Sequence, residues 1–151
     1  MKIIVSVPVQ DKPIRVISLE GALDGSNFEC LIDEAQKQYT ARVRNLVLDL
    51  DRLNFISSAG LSAIHQVALI FRDKKPARKQ VVSWDEFRWD AYRQGKGSSA
   101  GLPHRHVKLL CPSANVRQSL DTIGFTPLFE IFEDLQQALA SFRLRLPAAA
   151  S

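Results

Sequence analysis

The sequence predicts an α/β fold: a mixed β-sheet, opened by a hairpin and continued by alternating strands and helices, with the helices packed against it. Three observations carry this. Two β-branched, aliphatic runs at 2–9 and 14–19 flank the turn-forming Gln10-Asp11-Lys12-Pro13. Beyond them, short apolar runs alternate with segments whose apolar residues recur at helical spacing, a pattern that calls for a sheet largely parallel in its centre. The 151 residues suffice for one domain with a sizeable core, and 46% hydrophobic with 24% charged residues is ordinary globular composition.

The elements follow in order. Gly21 to Asn27 supplies turn and cap residues, and Phe28, Leu31, Ile32, Ala35 and Tyr39 mark a first helix over 27–41. Asn45 to Leu50 is a compact apolar strand, and Leu53 to Ile56 leads from it to Ser57-Ser58. A second helix is expected from Gly60, with Leu61, Ile64, Val67, Ala68 and Phe71 on one face and Arg72, Lys74 and Lys75 at its C-terminal end, where cations suit the helix dipole. Pro76 ends it. Val107 to Cys111 reads as a strand, 114–123 as a short helix closed by Gly124, 128–132 as a final strand and 134–142 as a last amphipathic helix.

These divisions give a single domain over 1–146, interrupted between the second helix and the next strand by a basic insertion at 72–106, with a frayed tail at 147–151. The insertion holds nine Lys/Arg against four acids, so it alone carries +5 while the whole chain is +4. The high pI therefore belongs to the insertion, and the rest of the domain is close to neutral. Its aromatic stretch Trp84 to Tyr92 is read as a surface loop or a docking arm; interleaved basic and aromatic residues would also suit single-stranded nucleic acid.

Other function classes fall away. The apolar opening 3–9 is too short for a membrane span or a signal peptide. Cys30 and Cys111 lie 81 positions apart without CxxC spacing, which suggests reduced, buried thiols and a cytoplasmic location. His104 and His106 are expected to face solvent as a pair and His65 to be partly buried; these are too few ligands for a metal. No serine, histidine and acid pattern or carboxylate pair suggests catalysis, and Gly95-Lys96-Gly97-Ser98 lacks phosphate-loop spacing. The chain is expected to be no enzyme and to need no cofactor.

The junction Phe55-Ile56-Ser57-Ser58-Ala59-Gly60-Leu61 places two hydroxyls where a strand gives way to a helix. Amides at a helix N-terminus lack intrahelical acceptors and that end is electropositive, so a serine there either caps the helix or accommodates a phosphate. The same five letters recur at Ser98-Ser99-Ala100-Gly101-Leu102, but no strand precedes that copy and Pro103 follows it. Position, not the letters, singles out the first copy.

Together with Leu19-Glu20-Gly21-Ala22-Leu23-Asp24, Leu46 to Leu50 and Cys111-Pro112-Ser113 to Ile123-Gly124-Phe125, this junction resembles the STAS domain family of bacterial anti-sigma factor antagonists over about 115 residues. The resemblance implies a chain that binds an anti-sigma factor serine kinase and is switched off when that kinase phosphorylates Ser58, with Ser57 the second candidate, until a serine phosphatase resets it. Many members of the family carry aspartate where Ser57 stands here. It further implies partner contacts at Asp24, Ser26, Asn27, Ser57, Ala59, Gly60 and Leu61. A non-phosphorylated STAS scaffold or transporter-associated subunit is the alternative of another class, with nucleic-acid binding through the insertion a third. Which sigma factor, kinase and signal are served is decided by the partner's surface and not by this sequence.

Overall fold

A computed structural model describes residues 1–10, 12–72 and 104–143. Ten elements follow in order: β1 (Lys2–Ser6), β2 (Ile14–Leu23), α1 (Phe28–Thr40), β3 (Asn45–Ile56), α2 (Ser58–Ile70), β4 (His104–Leu110), α3 (Ala114–Thr122), a 3-10 turn (Thr126–Leu128), β5 (Phe129–Phe132) and α4 (Leu135–Arg143). The strands form one five-stranded sheet in the order β1-β2-β3-β4-β5. β1 pairs antiparallel with β2, and every later pairing is parallel. The expected mixed sheet, parallel in its centre, is what the chain forms.

Alternation along the strands builds two cores. On one face, Ile17 and Leu19 of β2 and Leu46, Leu48 and Leu50 of β3 meet α1, α2 and α3 through Leu31, Ala35, Ile64, Val67, Val116 and Leu120. On the other, Ile14, Val16, Val47 and Leu110 lie under Ala138, Leu139 and Phe142 of α4. The second face also holds Lys108, which is fully buried. Its ammonium pairs with Glu130 and sits 5.4 Å from the Phe142 ring centroid, so the charge is met by a carboxylate and an aromatic face.

Two strands run further than their apolar patterns suggest. β2 continues through Glu20-Gly21-Ala22 to Leu23, and β3 continues through Asp51, Arg52 and Asn54 to Ile56. Register shifts at Ser18/Glu20 and Gly21/Ala22 accompany the extension, and Gly21 takes φ +101, which L-residues with a side chain rarely adopt. The partners Glu20 and Arg52 stand opposite each other across it. Because β4 pairs β3 only over Leu46–Asp49, the ends of β2 and β3 project past the rest of the sheet.

The flanks of the insertion meet: Arg72 donates a hydrogen bond to His104 Nδ1 at 3.2 Å. β4 begins at His104, so 104–106 belong to the strand. Residues 73–103 lie outside the described residues, and with them the Trp84–Tyr92 stretch, the second Ser-Ser-Ala-Gly-Leu, Pro76 and the readings placed on them, as does the 147–151 tail.

Two expectations need correction. Cys30 is exposed on α1 and Cys111 is half-buried, so neither is a core thiol; Cys30 falls off the Phe28, Leu31, Ile32, Ala35 face. Burial and the nearby carboxylates of Glu133, Asp51, Asp49 and Asp134 hold the Cys111 thiol above its usual pKa. Nor do His104 and His106 form a solvent-facing pair. His104 is buried against the His65 and Phe129 rings, while His106 is half-buried and bonds Asn45 Oδ1 at 3.0 Å. The pairing of β4 with β5 is irregular between His104 and Leu109, so simple alternation fails there.

Candidate functional site

The carboxyl ends of parallel strands are where α/β sheets gather loops and helix N-termini, and here Leu23 is the meeting point. Its carbonyl accepts the Ser57 amide at 2.9 Å, which ties the start of α2 to the end of β2. Gly60 makes this approach possible: a Cβ there would stand 2.7 Å from the Leu23 carbonyl oxygen and 2.8 Å from Ile56 Cγ1. A residue without a side chain is required by close packing, not by an unusual backbone angle.

α2 begins at Ser58, two residues earlier than expected, because Ser57 is the cap. Ser57 has extended backbone, its Oγ accepts the Gly60 amide at 3.2 Å, and its carbonyl accepts the Leu61 amide at 2.9 Å. With that work done by Ser57, the Ser58 side chain is exposed at the first helical position. The Ser58 and Ala59 amides precede the first intrahelical bond and lie at the positive end of the helix dipole.

The loop from Asp24 to Asn27 forms the neighbouring wall. Asp24 Oδ1 accepts from the Ser26 hydroxyl at 2.6 Å and the Ser26 amide at 2.9 Å, and these bonds hold its carboxyl below the usual carboxylate pKa. Asn27 is consumed by structure: its Oδ1 accepts the Asp24 amide and its Nδ2 donates to the Ala22 carbonyl, each at 2.9 Å. On the far side, the Ser113 hydroxyl before α3 donates to the Leu53 carbonyl at 2.8 Å and steadies β3.

The structure thus divides the expected contact residues. Ser26 and Ser58 are exposed and Asp24 and Ser57 half-buried, whereas Ala59, Gly60 and Leu61 are buried. Those three were expected to face a partner; α2 is enclosed on nearly every side from Ala59 onward, and Gly60 packs against Leu23 and Ile56. Phe55 was not singled out as a contact, yet it is 53% exposed two residues before the cap. An aromatic in an otherwise polar run, Arg52-Leu53-Asn54-Phe55, with Leu53 and Ile56 already supplying the buried positions, is the signal that could have found it.

Among the described residues, no group of three or more His, Cys, Asp or Glu could hold a metal, and no helix is long and apolar enough to cross a membrane. One end of the sheet thus carries a capped helix, the exposed Ser58 and the exposed Phe55. The chain matches the model of the STAS domain over residues 6–75. It is 29% identical over 133 residues, 87% of this chain and 89% of the relative, to BtrV of Bordetella bronchiseptica, which carries the name anti-sigma factor antagonist. Its fold is that of an anti-sigma factor antagonist from Thermotoga maritima (TM-score 0.65, 13% identity, covering 93% of this chain and 94% of that one). It is likewise that of the Bacillus cell fate determinant SpoIIAA in its phosphorylated form (TM-score 0.54, 16% identity, 92% and 97%).

Proposed function

We propose that this chain is an anti-sigma factor antagonist that binds an anti-sigma factor serine kinase in the cytoplasm and is released when that kinase phosphorylates Ser58. The observation that carries the reading is the division of labour between adjacent serines: Ser57 caps α2, so Ser58 is exposed and can be modified without loss of the cap. The name of the Bordetella relative and the phosphorylated form of the Bacillus neighbour support the same role. In this cycle the chain is a substrate and a ligand, not a catalyst, and a serine phosphatase restores it. Residues 1–146 act as one domain carrying the basic insertion.

The chemistry is transfer of the terminal phosphoryl group of ATP to Ser58 Oγ, with loss of the hydroxyl proton and release of ADP. The product carries close to two negative charges at the N-terminus of α2, where unpaired amides and the dipole favour an anion, so the fold persists. The surface, by contrast, changes sign. A partner seated over Phe55, Ser58 and the Asp24 loop would have to desolvate a dianion beside an already ionised Asp24, and an unpaired buried charge costs more than an ordinary contact returns. The test is incubation with ATP and the cognate kinase, followed by mass spectrometric mapping. Phosphate at Ser58 and loss of kinase binding by Ser58→Asp are expected; phosphate at neither Ser57 nor Ser58 overturns the switch.

A further inference from the structure

We propose that β1 is a self-association edge, through which two copies of this chain pair their β1 strands antiparallel and merge their sheets. β1 is the outermost strand, hydrogen-bonded to β2 on one side, and among the described residues no strand covers the other. Such an edge offers a row of backbone donors and acceptors to any second strand. Among the described residues, four of the five exposed large hydrophobic residues lie on or beside it: Met1, Ile4, Val5 and Val7, each between 36% and 46% exposed. Edges that avoid pairing usually carry charge or proline within the strand; here Lys2 stands at one end and Pro8 lies beyond the other, leaving Ile3-Ile4-Val5 unguarded.

The sequence of the strand favours a second copy as the occupant. A two-fold axis perpendicular to the sheet through Ile4 sets Ile4 opposite the partner's Ile4 and Ile3 opposite the partner's Val5. It sets Lys2 opposite the partner's Ser6, so no like charges meet. Ile3 and Val5 pair with buried Leu19 and Ile17 of β2 and so lie on the face of the main core, while Ile4 pairs with Ser18 on the face of α4. The joint is therefore apolar on both faces of the merged sheet. β2 separates this edge from β3 and the Ser57-Ser58 cap, so the dimer would display two open sites.

Sedimentation velocity from micromolar to near-millimolar protein should show a concentration-dependent shift from 16.9 kDa to twice that mass. Ile4→Glu and Ile4→Lys should each raise the concentration of half-association at least tenfold, since each opposes like charges across the axis, and an equimolar mixture of the two should recover it. In a Cys30→Ser background, Ile4→Cys should give a disulfide-linked dimer on oxidation, because directly opposed strand residues come within disulfide reach; this readout serves should a charged residue weaken β1. A wild-type chain that stays monomeric throughout overturns the proposal. So does a dimer unaffected by either charge, or a mixture that associates no better than its components.

Discussion

The Ser57 hydroxyl oxygen accepts the Gly60 amide at 3.2 Å, and this bond settles which of two adjacent serines is structural. Removing it should cost stability, while the neighbouring hydroxyl should be dispensable. Ser57→Ala is expected to lower unfolding free energy by about 1 kcal/mol, and Ser58→Ala to stay within about 0.5 kcal/mol of wild type. Urea unfolding of the two variants checks this; equal losses would mean that the cap is shared.

Gly60→Ala tests the contact between helix and strand end. The new Cβ meets the backbone oxygen of Leu23 at 2.7 Å, which cannot rotate away as a flexible side chain would. Destabilisation by about 1–3 kcal/mol is expected, as for other overpacked sites. Since α2 must move off Leu23 to relieve it, binding of the proposed kinase partner should weaken as well, measured on protein that calorimetry shows to be folded.

Phe55→Ala separates binding from folding. The ring is more than half exposed, so its loss should leave the unfolding midpoint unchanged. On the proposed function this exposed ring anchors the partner, and binding should weaken by about 2 kcal/mol, roughly thirtyfold in Kd. Isothermal titration against the kinase decides between anchor and bystander.

Acid should destabilise the domain through two histidines. Burial, then His104 and Arg72, lowers the pKa of His65 to about 3; burial, then Arg72, lowers that of His104 to about 4. Both rings stay neutral in the fold while the unfolded chain takes up protons near its ordinary pKa of 6.5. Stability is therefore complete above about pH 6.5 and is lost as pH falls toward 4, by about 1.4 kcal/mol per pH unit for each ring. His104→Phe, which keeps the contact with Phe129, should flatten this limb in denaturation midpoints measured between pH 4 and 7.

The sequence by itself determined the order of elements, the mixed sheet and the strand-to-helix junction that holds Ser57 and Ser58. Apolar spacing reports which face of a strand or helix is buried, and the strand-to-helix position of Ser57-Ser58 could be read from Leu46–Leu50 before it and Leu61–Phe71 after it. Other features lay beyond a linear pattern. The polar ends of β2 and β3 are strands because they pair with each other past the end of the β3–β4 pairing, and pairing leaves no local mark on Glu20 or Arg52. Lys108 is buried because Glu130 and Phe142, remote in sequence, converge on its ammonium. Only the tertiary structure assigned the cap to Ser57 and exposure to Ser58 and Phe55, since which side of a helix start faces solvent depends on what it packs against, here the carbonyl of Leu23.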